Sequence, residues 1–476
     1  MKTLQILLLL VLILSSCTNK KENVTIKGKF INKENKELLC TPILTDAFDS
    51  WFKDSVVVDS SGSFIISLQL DEPRFIDLLT NSSYKQLIIE PGETYEIEIR
   101  GEQGQIELMK KSDTQLFYDD LSNSHPLVYE FFPNDVSNYD SICRSLNEKL
   151  DKELLELRKL NCSENVRSII SRDRQVYYNL AISSLALRNK IISIQNNVAT
   201  PNDVMNMWGT AVSDTFLTNP MSKKTTYYYD LLRMAFEYDF NTKLDSDSIK
   251  VIRKEKREQG LILSHDIELA KSFLPKEILE FYSATYIQSS AFQKNFEKEL
   301  INLFEQFKTD YPNSKYISYI QTSIDEISDF YLKVEDAFNE EYKFVDNYKN
   351  INSFSDCILP FKGKKLYVDI WTTSCGACKK EFEFNEKLKK VLKNKGVEVL
   401  YISLDRDKNE DRWQDMIKYY NLTGNHIRAN KNLDSDLDEK LRIDWIPRYL
   451  IINEQGKIIN DNAPWPSNLI ELEKQL

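Results

Sequence analysis

Glycine and proline are scarce, at 12 and 13 of 476 residues, which excludes collagen-like and low-complexity architectures. Histidine is scarcer still. His125, His265 and His426 are the only three, and no two share a metal-ligand spacing, so no histidine-built metal site is expected. Basic charge is outweighed, with 62 Lys and Arg against 73 Asp and Glu and a net charge of -11. Phosphate backbones repel such a chain, so nucleic acid is not an expected partner. Beyond the first few residues no stretch approaches 18 apolar residues, and no membrane-spanning helix is predicted. Apolar and charged residues are plentiful, at 42% and 28%. That is ample for buried cores and excludes wholesale disorder. The length allows about two to four domains.

The chain opens Met1-Lys2 and is then apolar from Leu4 to Leu14, interrupted only by Gln5. At a rise of ~1.5 Å per residue this run is too short to span a bilayer. It fits the apolar part of an export signal with Lys2 as its positive flank. The following Leu14-Ser15-Ser16-Cys17 resembles the bacterial lipobox. That resemblance implies a signal peptide over 1–16, lipidation at Cys17 and a polar tether over 17–23. Similarity to Gram-negative lipoproteins implies a cell-envelope protein facing the periplasm. Thr18 is not the aspartate that retains many lipoproteins in the inner membrane, which favours the outer one.

Seven cysteines are present. Cys375 and Cys378 stand at a C-x-x-C spacing, and no second such pair or histidine pair completes a zinc set. Cys40 and Cys357 are expected as buried free thiols. Cys143 and Cys162 lie in a helical region, and the sequence leaves their pairing open.

Three regions follow one another. Residues 24–110 alternate in short β runs around turn signals such as Asp59-Ser60-Ser61-Gly62 and Glu90-Pro91-Gly92-Glu93, which predicts a small antiparallel β-sandwich. Residues 111–345 carry helical periodicity, and an all-α region is expected. Tyr311-Pro312-Asn313-Ser314 reads as a turn between two of its helices. This region is either a spacer or a surface that docks a partner or limits access to a site, and the spacer is the favoured reading. Residues 346–476 alternate strands and helices in a β-α-β then β-β-α order, the order of an α/β thioredoxin fold.

The chemistry lies in Val368-Asp369-Ile370-Trp371-Thr372-Thr373-Ser374-Cys375-Gly376-Ala377-Cys378-Lys379-Lys380-Glu381. Two cysteines three positions apart at a helix start bring their sulfurs together. Unpaired N–H groups there favour a thiolate, and Lys379 and Lys380 add positive charge. The motif resembles the thioredoxin active site, and 346–476 resembles the membrane-linked TlpA and ResA type of redoxin-like thiol-disulfide oxidoreductase. The β region ahead resembles the β domain often placed before such modules.

The resemblance implies a dithiol–disulfide pair in which Cys375 is the nucleophile and Cys378 resolves the mixed disulfide. It implies that Asp369 is the buried proton acceptor and that Pro447, in Trp445-Ile446-Pro447-Arg448-Tyr449, is a cis-proline. The backbone of Ile446 would then pair with substrate, while Trp371 and Ser374 shape the binding surface. No cofactor and no metal are implied. The expected partners are exported protein disulfides or thiols and a membrane electron donor, with a reductase as the favoured direction. Two departures bear on this. Ser374 stands where thioredoxins carry tryptophan, and Ala377 replaces the proline common between the cysteines. The first favours a rival reading, a redox-responsive partner-binding lipoprotein with little turnover. A peroxiredoxin reading fails, because Val368 stands where that family has proline.

Overall fold

The computed structural model describes residues 21–31, 37–42, 53–101, 104–122, 139–243, 246–335 and 337–476. The export signal, Cys17 and His125 lie outside them. The chain divides into two compact units, one reaching to Thr285 and one from Tyr286 to Leu476.

The first unit begins with eight strands: β1 (Glu22–Ile31), β2 (Leu39–Cys40), β3 (Asp54–Ser55), β4 (Ser63–Leu70), β5 (Arg74–Leu79), β6 (Tyr84–Ile89), β7 (Thr94–Arg100) and β8 (Gln105–Leu108). The first two residues of β1 overlap the tether read from sequence. The strands form two four-stranded sheets, ordered β4-β1-β7-β8 and β3-β2-β5-β6. All neighbours in them are antiparallel except β1 and β7, which run parallel. In β4 the alternation is plain: Phe64, Ile66, Leu68 and Leu70 point inward and their neighbours outward. They meet Val24, Ile26, Leu78, Leu87 and Ile97 in one core. Gly28 is required where β1 crosses this core. A Cβ there would lie 2.4 Å from the Phe64 ring and 2.6 Å from the Ile97 carbonyl oxygen.

Helices follow: α1 (Asp113–Ser122), α2 (Tyr139–Leu157), α3 (Glu164–Gln195), α4 (Asn202–Ala211), α5 (Asp214–Leu217), α6 (Tyr228–Lys243), α7 (Ser246–Glu258) and α8 (Ile262–Phe273). The sheets and the first helices share a core. Phe75 and Ile88 pack with Tyr118, Leu157, Val166, Ile169 and Ile170. Cys143 is buried, Cys162 is partly exposed, and both are free thiols, as are the buried Cys40 and Cys357. The unit boundary falls within α9 (Leu279–Phe292).

The second unit contains the helical pair α10 (Glu299–Asp310) and α11 (Ile317–Val334), joined through Tyr311-Pro312-Asn313-Ser314. Then come β9 (Tyr342–Phe344), α12 (Phe354–Ile358), β10 (Lys365–Trp371), α13 (Gly376–Glu381), α14 (Asn385–Lys395), β11 (Val397–Ser403), α15 (Glu410–Tyr419), β12 (Gly424–Arg428), α16 (Lys431–Leu441), β13 (Arg448–Ile452), β14 (Ile458–Asn460) and α17 (Leu469–Gln475). One six-stranded sheet runs β14-β13-β10-β11-β12-β9. β10 is central, parallel to β11 and antiparallel to β13. β10 and β11 are buried almost throughout, as strands covered on both faces must be. Helices α13 and α14 are not continuous. A 3-10 turn at Phe382–Phe384 separates them, and its Phe382 ring stands edge-on to Trp371 at 5.1 Å. Among the described residues no helix is long and apolar enough to cross a membrane.

Candidate active site

The site forms where β10 ends and α13 begins. The strand is held by β11 and β13 on either side, so its last residue, Trp371, is fully buried. The chain then turns through Thr372, Thr373 and Ser374. Cys375 is the N-cap of α13 in extended conformation, and its Sγ accepts a hydrogen bond from the Cys378 amide at 3.0 Å. The two cysteines are joined as a disulfide with Cα atoms 5.3 Å apart. Cys375 is partly exposed and Cys378 is fully buried. This asymmetry is what an attacking and a resolving thiol need: one sulfur that a partner reaches, and one sheltered until the first has reacted.

Asp369 sits in the middle of β10 and is 1% exposed. Its Oδ1 has no hydrogen-bond partner within the chain. Burial, and then the negative charge of Glu381, pushes its carboxyl well above the usual carboxylate range. Glu381 is itself raised by burial, while its Oε2 accepts from the Ser467 amide at 2.8 Å. Two acids of elevated pKa thus lie in the fold of the cysteine pair, one on the strand before it and one on the helix after it.

The Ile446–Pro447 peptide is cis and leads directly into β13, the neighbour of β10. Ile446 is partly buried against the core, and Trp445 ahead of it is 52% exposed. The Arg448 guanidinium lies 5.1 Å from the Trp445 ring centre. Ser374 is exposed, and its hydroxyl lies 3.2 Å from that of Thr372.

Two residues were not anticipated in a role, Asp405 and Glu381, and a third lies where it was not expected. Asp405 is buried behind β11 and grips the loop before Cys375 through Thr373. Glu381 lies one turn beyond Cys378, and that spacing was the signal for it. Of the two lysines expected to add positive charge beside the pair, Lys379 is buried and Lys380 is exposed.

The central sheet, the helix at its carboxyl edge and the cysteine pair define a thioredoxin-like fold. Comparison with known proteins agrees. Residues 344–474 match the Redoxin family model. A stretch of 101 residues is 29% identical to the thiol-disulfide oxidoreductase ResA of Bacillus thuringiensis subsp. konkukian, covering 21% of this chain and 56% of that protein. A ResA of Bacillus cereus is 38% identical over 98 residues, covering 21% of this chain and 54% of that one. The chain spans about half the length of these curated relatives. The family match and these relatives give the carboxyl-terminal region thioredoxin-like thiol-disulfide oxidoreductase homology. Among solved structures, a thiol:disulfide interchange protein from Bacteroides sp. aligns at 29% identity over 24% of this chain and 74% of its own, with a TM-score of 0.22. A thiol-disulfide oxidoreductase from Bacteroides fragilis aligns at 25% identity over 24% and 84%, also with a TM-score of 0.22.

Proposed function

We propose that the chain is a lipid-anchored thiol-disulfide oxidoreductase facing the periplasm, and that it works as a reductase of exported proteins. The observation that carries the reading is the Cys375–Cys378 disulfide at the start of α13, partly exposed at one cysteine and buried at the other. In the reduced protein the Cys375 thiolate attacks a substrate disulfide. One S–S bond forms to Cys375, one breaks, and a substrate thiolate leaves. Cys378 then gives its proton to Asp369 and attacks Cys375. The internal disulfide closes, and the second substrate thiolate departs and takes up a proton. The substrate gains two electrons and the cysteine pair loses two. A membrane dithiol donor restores them. The backbone of Ile446, ahead of Pro447, receives the substrate strand, with the exposed Ser374 at the rim beside it and the fully buried Trp371 packed beneath the site. Lipidation at Cys17 holds the protein at the outer membrane.

Redox equilibration of the pair against glutathione tests the direction. A potential near that of thioredoxin, about -270 mV, supports a reductase, and one near that of the oxidant DsbA, about -120 mV, overturns it. Labelling cells with an alkyne fatty acid tests the anchor: label on wild type and none on Cys17→Ala supports it, and equal labelling sinks it. The rival, a redox-responsive binding module, draws on the exposed Ser374 at the rim. It predicts partner capture that does not change in Cys378→Ser.

A further inference from the structure

Lys379 directly follows Cys378 and is 2% exposed. An ammonium is almost never buried this completely without partners. Its Nζ donates to the carbonyl oxygens of Gln293 at 2.9 Å and Lys294 at 3.0 Å, and to Oδ1 of Asn295 at 3.4 Å. All three acceptors are uncharged, and all belong to the turn between α9 and α10.

That turn is shaped for the purpose. Lys294 and Phe296 both adopt left-handed backbone conformations, with φ of 50° and 52°. Side chains with a Cβ resist this region, and they stay there only where the surroundings over-determine it. The surroundings do. Arg412 on α15 donates to the same Asn295 Oδ1 at 2.9 Å. Lys294 pairs with Glu326 on α11 at 3.1 Å and with Glu383 at 3.6 Å. The Phe296 ring stacks on Phe330 at 4.4 Å and tilts against Tyr419 at 4.8 Å.

We propose that the 293–296 turn is a built receptor for the Lys379 ammonium, and that through it the helical pair α10–α11 sets the thiol chemistry of Cys375. Lys379 is a positioning residue, and this role rests on the oxidoreductase reading of the pair. It lies one helical turn from Cys375, with its amide donating to the Cys375 carbonyl at 3.2 Å. A cation fixed on that face favours the thiolate when the disulfide opens. Burial, followed by the positive charge of Arg412, lowers the ammonium to about 8, and Glu297 opposes the shift. Lys294 and Asp405 are the other charges that act on it. The helical region is then more than a spacer. Its last hairpin is a working part of the redox unit.

The test measures the Cys375 thiol pKa in the reduced full chain, from alkylation rate against pH. Lys379→Met is expected to raise it by about one unit, leaving roughly tenfold less thiolate at pH values below the wild-type pKa. Asn295→Ala keeps the charge, removes one acceptor, and is expected to shift it less in the same direction. Lys380→Met, at the exposed neighbour, is expected to leave it in place. An unchanged pKa in folded Lys379→Met overturns the proposal, and so does an equal shift in Lys380→Met. Should Lys379→Met not fold, Asn295→Ala decides, and a pKa within about 0.2 of wild type overturns the proposal. Alkylation needs no turnover. Disulfide exchange with oxidised glutathione is followed in parallel, so loss of the oxidoreductase reading shows separately.

Discussion

Asp405 holds Thr373 twice. The Thr373 amide donates to Oδ2 and the Thr373 hydroxyl to Oδ1, each at 2.7 Å. The same carboxylate accepts from the Ser403 hydroxyl at 2.8 Å. Asp405 is 4% exposed, so these bonds are made out of water. They tie the end of β11 to the loop two residues before Cys375.

Removing that grip should loosen the loop. Asp405→Ala leaves a buried amide and two hydroxyls without their acceptor, which costs about 2–4 kcal/mol. The expected outcome is a lower urea midpoint together with a thiol-exchange rate reduced by roughly tenfold and not abolished. A variant as stable and as fast as wild type would show that the loop holds its place without Asp405.

The two cysteines should separate cleanly by mutation. Cys375→Ser removes the exposed sulfur and is expected to abolish exchange. Cys378→Ser keeps the attacking thiol and removes its resolver, so mixed disulfides with partner proteins should accumulate on Cys375. Non-reducing electrophoresis followed by mass spectrometry reads this directly. Adducts of equal amount on wild type and Cys378→Ser would argue that Cys378 resolves nothing.

Asp369 predicts a trade between stability and rate. Its folded pKa is raised by burial and then by Glu381, so its contribution to stability is complete below the unfolded value and is lost as pH rises through the folded one. Asp369→Asn carries no charge to desolvate, and the Oδ1 it replaces has no partner to lose. The variant should therefore gain on wild type above about pH 4, by about 1.4 kcal/mol per pH unit until the folded pKa is reached. Denaturant midpoints of the oxidised chains at two pH values, on either side of neutrality, check the slope. Resolution of the mixed disulfide should slow by about 10²-fold, because the proton acceptor is gone. Equal stability at both pH values would mean that Asp369 is not the buried acid described.

Much of the redox unit was legible because its signals are local. Val397 to Leu404 is a nearly unbroken apolar run and Lys365 to Trp371 reads as a strand, and β11 and β10 fall there. Asp369 between Val368 and Ile370 had to be buried if the strand was central. Pro447 before an apolar run marked the entry to β13. The rest was carried by contacts far apart in sequence. β9 and β12 are short and partly polar, and they are strands only because they pair with each other and with β11. Asp405 meets Thr373 across 32 positions, and Lys379 meets its turn across 84 to 86. A lysine after C-x-x-C reads as positive charge near the thiols, and no more than that. Nothing near it in sequence announces three carbonyl groups waiting for it.

The remaining cysteines give a last prediction, about reactivity. Cys40, Cys143 and Cys357 are buried, and burial pushes their thiols up to about 11, 11 and 12. At neutral pH each holds about one part thiolate in ten thousand or less. Cys162 is raised less and is partly exposed. In the reduced native chain, limited alkylation should therefore label Cys375 first and Cys162 far more slowly, and the three buried thiols only after unfolding. Peptide mass spectrometry after timed iodoacetamide treatment orders them. Cys143 reacting in the native chain as fast as Cys162 would place its thiol in reach of solvent, and the core around α2 would have to open to allow it.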